Sequence, residues 1–185
     1  SYLTVLKCRV PVLTGCHGLC VGGGVDLIAM ADIRYATEDC KFTIKEVDIG
    51  MAADLGTNQL IPHIIGNESA FRELAFTANF FSGKEAREIG LVSKVFESKD
   101  KLDEGLMETA KVIASKSPVA IYTLRQIFQR EMLRKIGDGL EYIARVNSNS
   151  LATKDTGIAI GSWAVSYTHL RAHETSLHLV CRLLL

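Results

Sequence analysis

The chain has no surplus of charge of either sign: 21 lysines and arginines balance 21 aspartates and glutamates over 185 residues. The two signs are interspersed, so neither nucleic acid nor an anionic membrane surface is an expected partner. No apolar run approaches the roughly 18 residues needed to cross a bilayer, and membrane insertion is not expected. There is no CxxC pair among Cys8, Cys16, Cys20, Cys40 and Cys181. Four of these lie in or beside apolar runs, where cysteine behaves as a small hydrophobe, and a reducing compartment is the expected home. A nucleotide loop is also missing. No Lys-Ser or Lys-Thr follows the triplet Gly22–Gly24, and Leu27 stands where G-x-G-x-x-G needs its last glycine. Internal repeats and low-complexity linkers are absent. The first residues show no secretory pattern, and because the chain opens on Ser1, a missing natural start is expected.

What is present is enough for a core. Hydrophobic residues make up 48% and charged residues 23% of the chain, ordinary values for one globular domain. Residues 10 to 16, VPVLTGC, read as a buried strand that stops at His17-Gly18. The glycine triplet then permits tight backbone geometry, VDLIAMA reads as a short helix, and DIRYAT as the next strand. QLIPHIIG reads as a turn, followed by a helix that Asn67 caps. Ser82 and Glu85 form a capping-box pattern for a short helix closed by Gly90, ahead of a strand at LVSKVF. Three helical segments follow at 100 to 115, 118 to 134 and 138 to 152, the second opened by Pro118 after its cap Ser117. The expected organisation is a partial α/β core over 1–98, a helical region over 99–164, and an atypical tail over 165–185. The tail carries His169, His173 and His178 without an organised acidic or cysteine partner. No metal site is expected there; read-through from another frame or an added sequence is the preferred account.

The chemistry-bearing residues concentrate in two runs, GGGVDL (22 to 27) and TIKEVDIGMAADLGT (43 to 57). A glycine turn opening a helix can present the Gly23 N–H to a developing negative charge. Asp26, Glu46 and Asp54 are carboxylates able to move protons nearby. Each has a plain alternative: Gly23 in a tight packing turn, Asp26 as a favourable acid in a first helical turn, Glu46 and Asp54 as solvated loop acids like Asp48. His17 ranks below the acids as a base, because a histidine ending a buried strand more often bonds a turn. Cys16 and Cys20 are read as packing residues rather than nucleophiles.

The stretch PVLTGCHGLCVGGGVDLIAMADIRYATEDCKFTIKEVDIGMAADLGT resembles the enoyl-CoA hydratase/isomerase, or crotonase, superfamily, and within it the Δ3,5-Δ2,4-dienoyl-CoA isomerases. The resemblance covers about residues 8 to 164 and rests on the combination GGGVD, IKEVD and AADLGT. Cys16 stands where the superfamily more often has an aliphatic residue. The implied fold is a spiral of ββα units with a helical C-terminal trimerisation region, here N-terminally truncated, commonly assembled as a hexamer of two trimers. The implied substrate is an acyl-CoA, with coenzyme A entering only as part of it and no metal or further cofactor. The Gly23 amide would supply half of an oxyanion hole, while Asp26, Glu46 and Asp54 would line the acyl pocket. The other amide and much of the CoA-binding loop would belong to an N-terminal portion absent from this sequence. Hydratases usually carry Glu at the position of Asp26 and lack an acid at that of Asp54, so the third acid favours isomerisation of 3,5- to 2,4-dienoyl-CoA. A 2-enoyl-CoA hydratase and a non-catalytic subunit of the same fold are the alternatives. The resemblance implies a mitochondrial or peroxisomal matrix, although the chain ends in LLL rather than Ser-Lys-Leu.

Overall fold

The computed structural model describes residues 2–151 and 153–167. Cys181 and the three tail histidines therefore lie outside the described residues. After a short helix α1 (Tyr2–Leu6), strands β1 (Leu13–Cys16) and β2 (Leu19–Val21) lead into helix α2 (Gly23–Ala29). Strands β3 (Ile33–Thr37) and β4 (Lys41–Thr43) repeat the pattern and lead into a 3-10 turn, Glu46–Ile49, and helix α3 (Thr57–Ile65). Both strand pairings are parallel, β1 on β3 and β2 on β4. The second unit thus lies beside the first, and the segments that leave β2 and β4 emerge side by side. Helix α4 (Glu68–Thr77), strand β5 (Phe81–Ser82), helix α5 (Gly83–Glu88) and strand β6 (Lys94–Phe96) complete two three-stranded sheets ordered β1-β3-β6 and β2-β4-β5.

Period-two alternation divides the first sheet between two layers. Leu13, Ile33 and Tyr35 pack against Leu102 and Leu106 of helix α6 (Lys99–Ala114), while Cys16 and Ala36 face the main core with Val25, Ile28, Phe42 and Leu60. The second sheet adds Phe42 and Phe81, whose rings stack 5.4 Å apart. The caps expected from sequence form: Asn67, Ser82 and Ser117 each accept a backbone N–H, and Ser82 and Glu85 close a full capping box. Each such cap contributes about 1 kcal/mol.

Two expectations are corrected. QLIPHIIG is not a turn but most of helix α3, with Pro62 inside it. Proline removes one hydrogen bond, yet Leu60 and Ile61 are 2% exposed, and their burial outweighs a cost of about 3 kcal/mol. Segments 118 to 134 and 138 to 152 are one helix, α7 (Pro118–Ser150). Gly137 and Gly139 do not break it, because Gly139 faces α3 so closely that a Cβ there would stand 2.7 Å from the Gln59 side chain. One inward stripe therefore runs the length of α7 through Arg125, Gln129, Ile136, Ile143 and Asn147, all buried. A last helix, α8 (Lys154–Tyr167), not anticipated as a separate element, packs on the 3-10 turn, where the Thr156 hydroxyl donates to the Gly50 carbonyl.

Candidate active site

The site forms where the chain leaves the parallel strands β2 and β4, the end at which open α/β sheets present their ligands. Gly22 closes β2 by donating its N–H to the Thr43 carbonyl at 2.9 Å. It holds φ 51° and ψ −114°, a conformation that L side chains avoid. Space imposes glycine as well, since a Cβ at Gly22 would lie 2.9 Å from Glu46 Oε1. The turn after β2 and the acid after β4 are thereby pressed together, and Gly23 follows as the first residue of α2.

Asp26, one turn into α2, is 1% exposed, and its Oδ1 accepts the Thr57 N–H at 2.8 Å. Thr57 opens α3, so this carboxylate satisfies a helix N-terminus that would otherwise present an unpaired donor. Burial pushes the Asp26 carboxyl upward, the Thr57 bonds pull it back, and the charge of Asp54 adds to the rise. Glu46 opens the 3-10 turn and is 8% exposed, with Oε2 buried and without a hydrogen-bond partner. Its carboxyl is also raised, first by burial and further by the charges of Asp26 and Asp54, while backbone hydrogen bonds at Glu46 and Lys45 pull it back. Asp54 follows in the loop that precedes α3. Its Oδ2 accepts from Asn147 Nδ2 at 3.1 Å, and the same Asn147 amide donates to the Ala52 carbonyl at 2.8 Å.

The carboxyls of Asp26, Glu46 and Asp54 thus lie within one another's fields, and Gly23 follows the glycine that presses on Glu46. Burial and mutual charge favour the protonated form at both Asp26 and Glu46, so a proton is more readily held at either than on an ordinary carboxylate. Asp48 is separated from the group and engaged by Lys45 Nζ at 2.5 Å, which removes it as an alternative. His17 lies at the other end of β2, about 10 Å of strand away. Cys16, Cys20 and Cys40 are buried; a hydrogen bond with Cys16, together with burial, raises the Cys20 thiol, in keeping with a packing role. Among the described residues no group of three or more His, Cys, Asp or Glu side chains is arranged to hold a metal ion.

Two participants were not legible in the sequence. Asn147 sits in the polar run RVNSNS near the end of α7, where nothing local distinguishes it. Tyr2 lies in an apolar opening segment, yet its phenol feels Asp26 and Glu46 and reaches the start of α2.

A sequence model of the enoyl-CoA hydratase/isomerase family matches residues 1–161. The chain belongs to that family. It is 47% identical over 156 residues to the peroxisomal Delta(3,5)-Delta(2,4)-dienoyl-CoA isomerase of Arabidopsis thaliana, covering 84% of this chain and 56% of that protein. The mitochondrial protein of the same name from Homo sapiens is 41% identical over 155 residues, covering 84% of this chain and 47% of that protein. A short-chain-enoyl-CoA hydratase from Clostridium acetobutylicum is 33% identical over 149 residues, covering 78% of this chain and 55% of that protein. The chain spans about half the length of the curated relatives it matches. Among solved structures, an enoyl-CoA hydratase/isomerase from Mycobacterium paratuberculosis superposes with a TM-score of 0.80 at 25% identity, over 87% of this chain and 63% of that one. The strand–strand–helix units are therefore those of the crotonase fold.

Proposed function

We propose that the protein isomerises 3,5-dienoyl-CoA to 2,4-dienoyl-CoA. The observation that carries this reading is the convergence of three carboxyls from separate segments, the third held by Asn147. Glu46 takes the proton from C2 of the thioester. The electron pair of the broken C–H bond spreads through the conjugated chain to the thioester oxygen, where the Gly23 N–H offers a hydrogen bond. Asp54 returns a proton at C6, and the double bonds move from the 3,5 to the 2,4 positions. Asp26, anchored on Thr57, orients the other two and sets their field; Glu46 and Asp54 are exchangeable in these roles. A carboxyl raised above its ordinary value is a stronger base, and general acid–base help is worth about 10²- to 10⁴-fold. Coenzyme A is part of the substrate, and the shuttle calls for no metal or redox cofactor.

The first half of α7 supports assembly into a homotrimer or hexamer, since Val119, Tyr122, Leu124, Ile127 and Phe128 are all exposed there. The names of the relatives support a mitochondrial or peroxisomal matrix. Among the described residues no helix is long and apolar enough to cross a membrane.

The test supplies 3,5-dienoyl-CoA and 2-enoyl-CoA separately to the complete protein and follows conjugated-diene absorbance. Isomerisation is expected, and Asp54→Asn should remove most of it, on the order of 10²-fold or more, while acyl-CoA binding persists. Hydration of the enoyl thioester without isomerisation would replace the reading with a hydratase. Absence of acyl-CoA binding would replace it with a non-catalytic subunit.

A further inference from the structure

Tyr2 is the polar group of the site that the proton shuttle leaves unused. Its helix, α1, is held firmly at the far end: Leu6 is fully buried, Arg125 Nη2 donates to the Val5 carbonyl at 3.0 Å, and Gln129 Nε2 donates to the Leu6 carbonyl at 2.7 Å. Thus α7 fixes α1 against the core, and α1 packs on α2. The Tyr2 hydroxyl then stands 2.9 Å from where a Cβ on Gly23 would be. An oxygen placed there lies against the Cα of Gly23, the first residue of α2, where a side chain would begin. No side chain can occupy that space while the phenol does, which gives Gly23 a reason to be glycine beyond turn geometry.

We infer that the Tyr2 hydroxyl is a catalytic hydrogen-bond donor, acting beside the Gly23 N–H on the thioester oxygen as it takes up negative charge. The inference rests on the isomerase reading and adds to it a residue that bonds the developing enolate without giving up its proton. Two features suit the phenol to this work. Burial, followed by the charges of Asp26 and Glu46, raises it above its ordinary value of 10.0, so it stays a neutral donor wherever the carboxyls function. It is also a side-chain donor on a separate helix, so it can approach the oxygen from a direction that the α2 backbone cannot supply. A preorganised donor aimed at a forming oxyanion is among the largest single contributions to such reactions.

The experiment compares the parent complete protein with Tyr2→Phe. Loss of one oxyanion donor predicts a fall of about 10²-fold in kcat on 3,5-dienoyl-CoA, with KM changed by less than about threefold because the bond strengthens mainly as charge develops. A Tyr2→Phe kcat within about twofold of the parent overturns the inference and leaves the isomerase reading intact. A parent protein that does not isomerise overturns both. Placement is tested independently by denaturant unfolding of Gly23→Ala and of the double variant Gly23→Ala/Tyr2→Phe. With the hydroxyl against Gly23, its removal makes room for the new methyl, and the double variant is less destabilised than the two single costs combined. Additive costs would show that the hydroxyl does not stand there and would overturn the inference.

Discussion

Replacing Glu46 by glutamine keeps the shape of the side chain and removes its charge, and the surroundings of that carboxyl set the sign of the effect on both stability and turnover. One of its oxygens is buried without a partner, and Asp26 and Asp54 add like charge to the cost of burial. Below the ordinary carboxyl value of 4.5 the folded and unfolded chains are both protonated here, and Glu46 imposes no electrostatic penalty. As pH rises past 4.5 the unfolded chain ionises freely while the folded one resists. Proton uptake is then greater in the folded state, and stability falls with pH until the raised folded value has been passed. Glutamine does not titrate and escapes this loss. Glu46→Gln should therefore be more stable than its parent at pH 8, and the difference should nearly vanish at pH 4.5. For a domain of this size each kcal/mol moves Tm by about 2–4 °C, so melting curves followed by circular dichroism at several pH values resolve the effect. Isomerisation of 3,5-dienoyl-CoA by the same variant should fall by about 10²- to 10⁴-fold. A variant no more stable at pH 8 than its parent would refute the electrostatic reasoning, and one with undiminished turnover would refute the role as base.

Asn147→Ala removes the bonds to Ala52 and Asp54 from a side chain that is 2% exposed; it should cost about 2–4 kcal/mol in urea unfolding and slow isomerisation by roughly 10²-fold through misplacement of Asp54. Gly83→Ala would drive a methyl into the Thr37 carbonyl, and a loss of at least about 3 kcal/mol, or failure to fold, should appear in soluble yield and denaturant titration. Arg125→Met strips the buried partner from Asp32 at 3.0 Å and a donor from the Val5 carbonyl, with an expected cost of about 3–5 kcal/mol in thermal melts.

Local chemistry made the caps legible, because Ser82, Asn67 and Ser117 act within three or four residues of themselves. The acids were legible as a set only through motif resemblance. Spacing alone did not choose between Asp48 and Glu46; the burial of Glu46 and the Lys45 ion pair of Asp48 separate them. Pro62 and Gly137 misled for one physical reason: a helix-breaking residue states a local cost, while the burial that outweighs it is contributed by distant segments. Asn147 and Tyr2 could not be found along the chain at all. Their importance lies in reaching Asp54 from α7 and Gly23 from α1, across long sequence separations that no periodicity records.

The three carboxyls divide structure and chemistry unequally, and that division follows from how two parallel units are laid side by side. Leu13 pairs with Ile33 and Leu19 with Lys41, so the second unit carries two more residues in its strand-to-strand turn and its acid arrives beside the glycine turn of the first. Asp26 is committed to the backbone of α3, and Asp54 receives the amide of Asn147. Glu46 alone keeps a buried oxygen with no partner. A carboxylate that takes a proton weakens the bonds it accepts, and those that Glu46 accepts come from its own turn, at Lys45 and Glu46. Proton uptake at Glu46 therefore disturbs no tertiary contact, whereas neutralising Asp26 would weaken the start of α3. This favours Glu46 over Asp54 as the base of the proposed shuttle, and substitutions at Asp26 should couple activity to stability while those at Glu46 set the two in opposition.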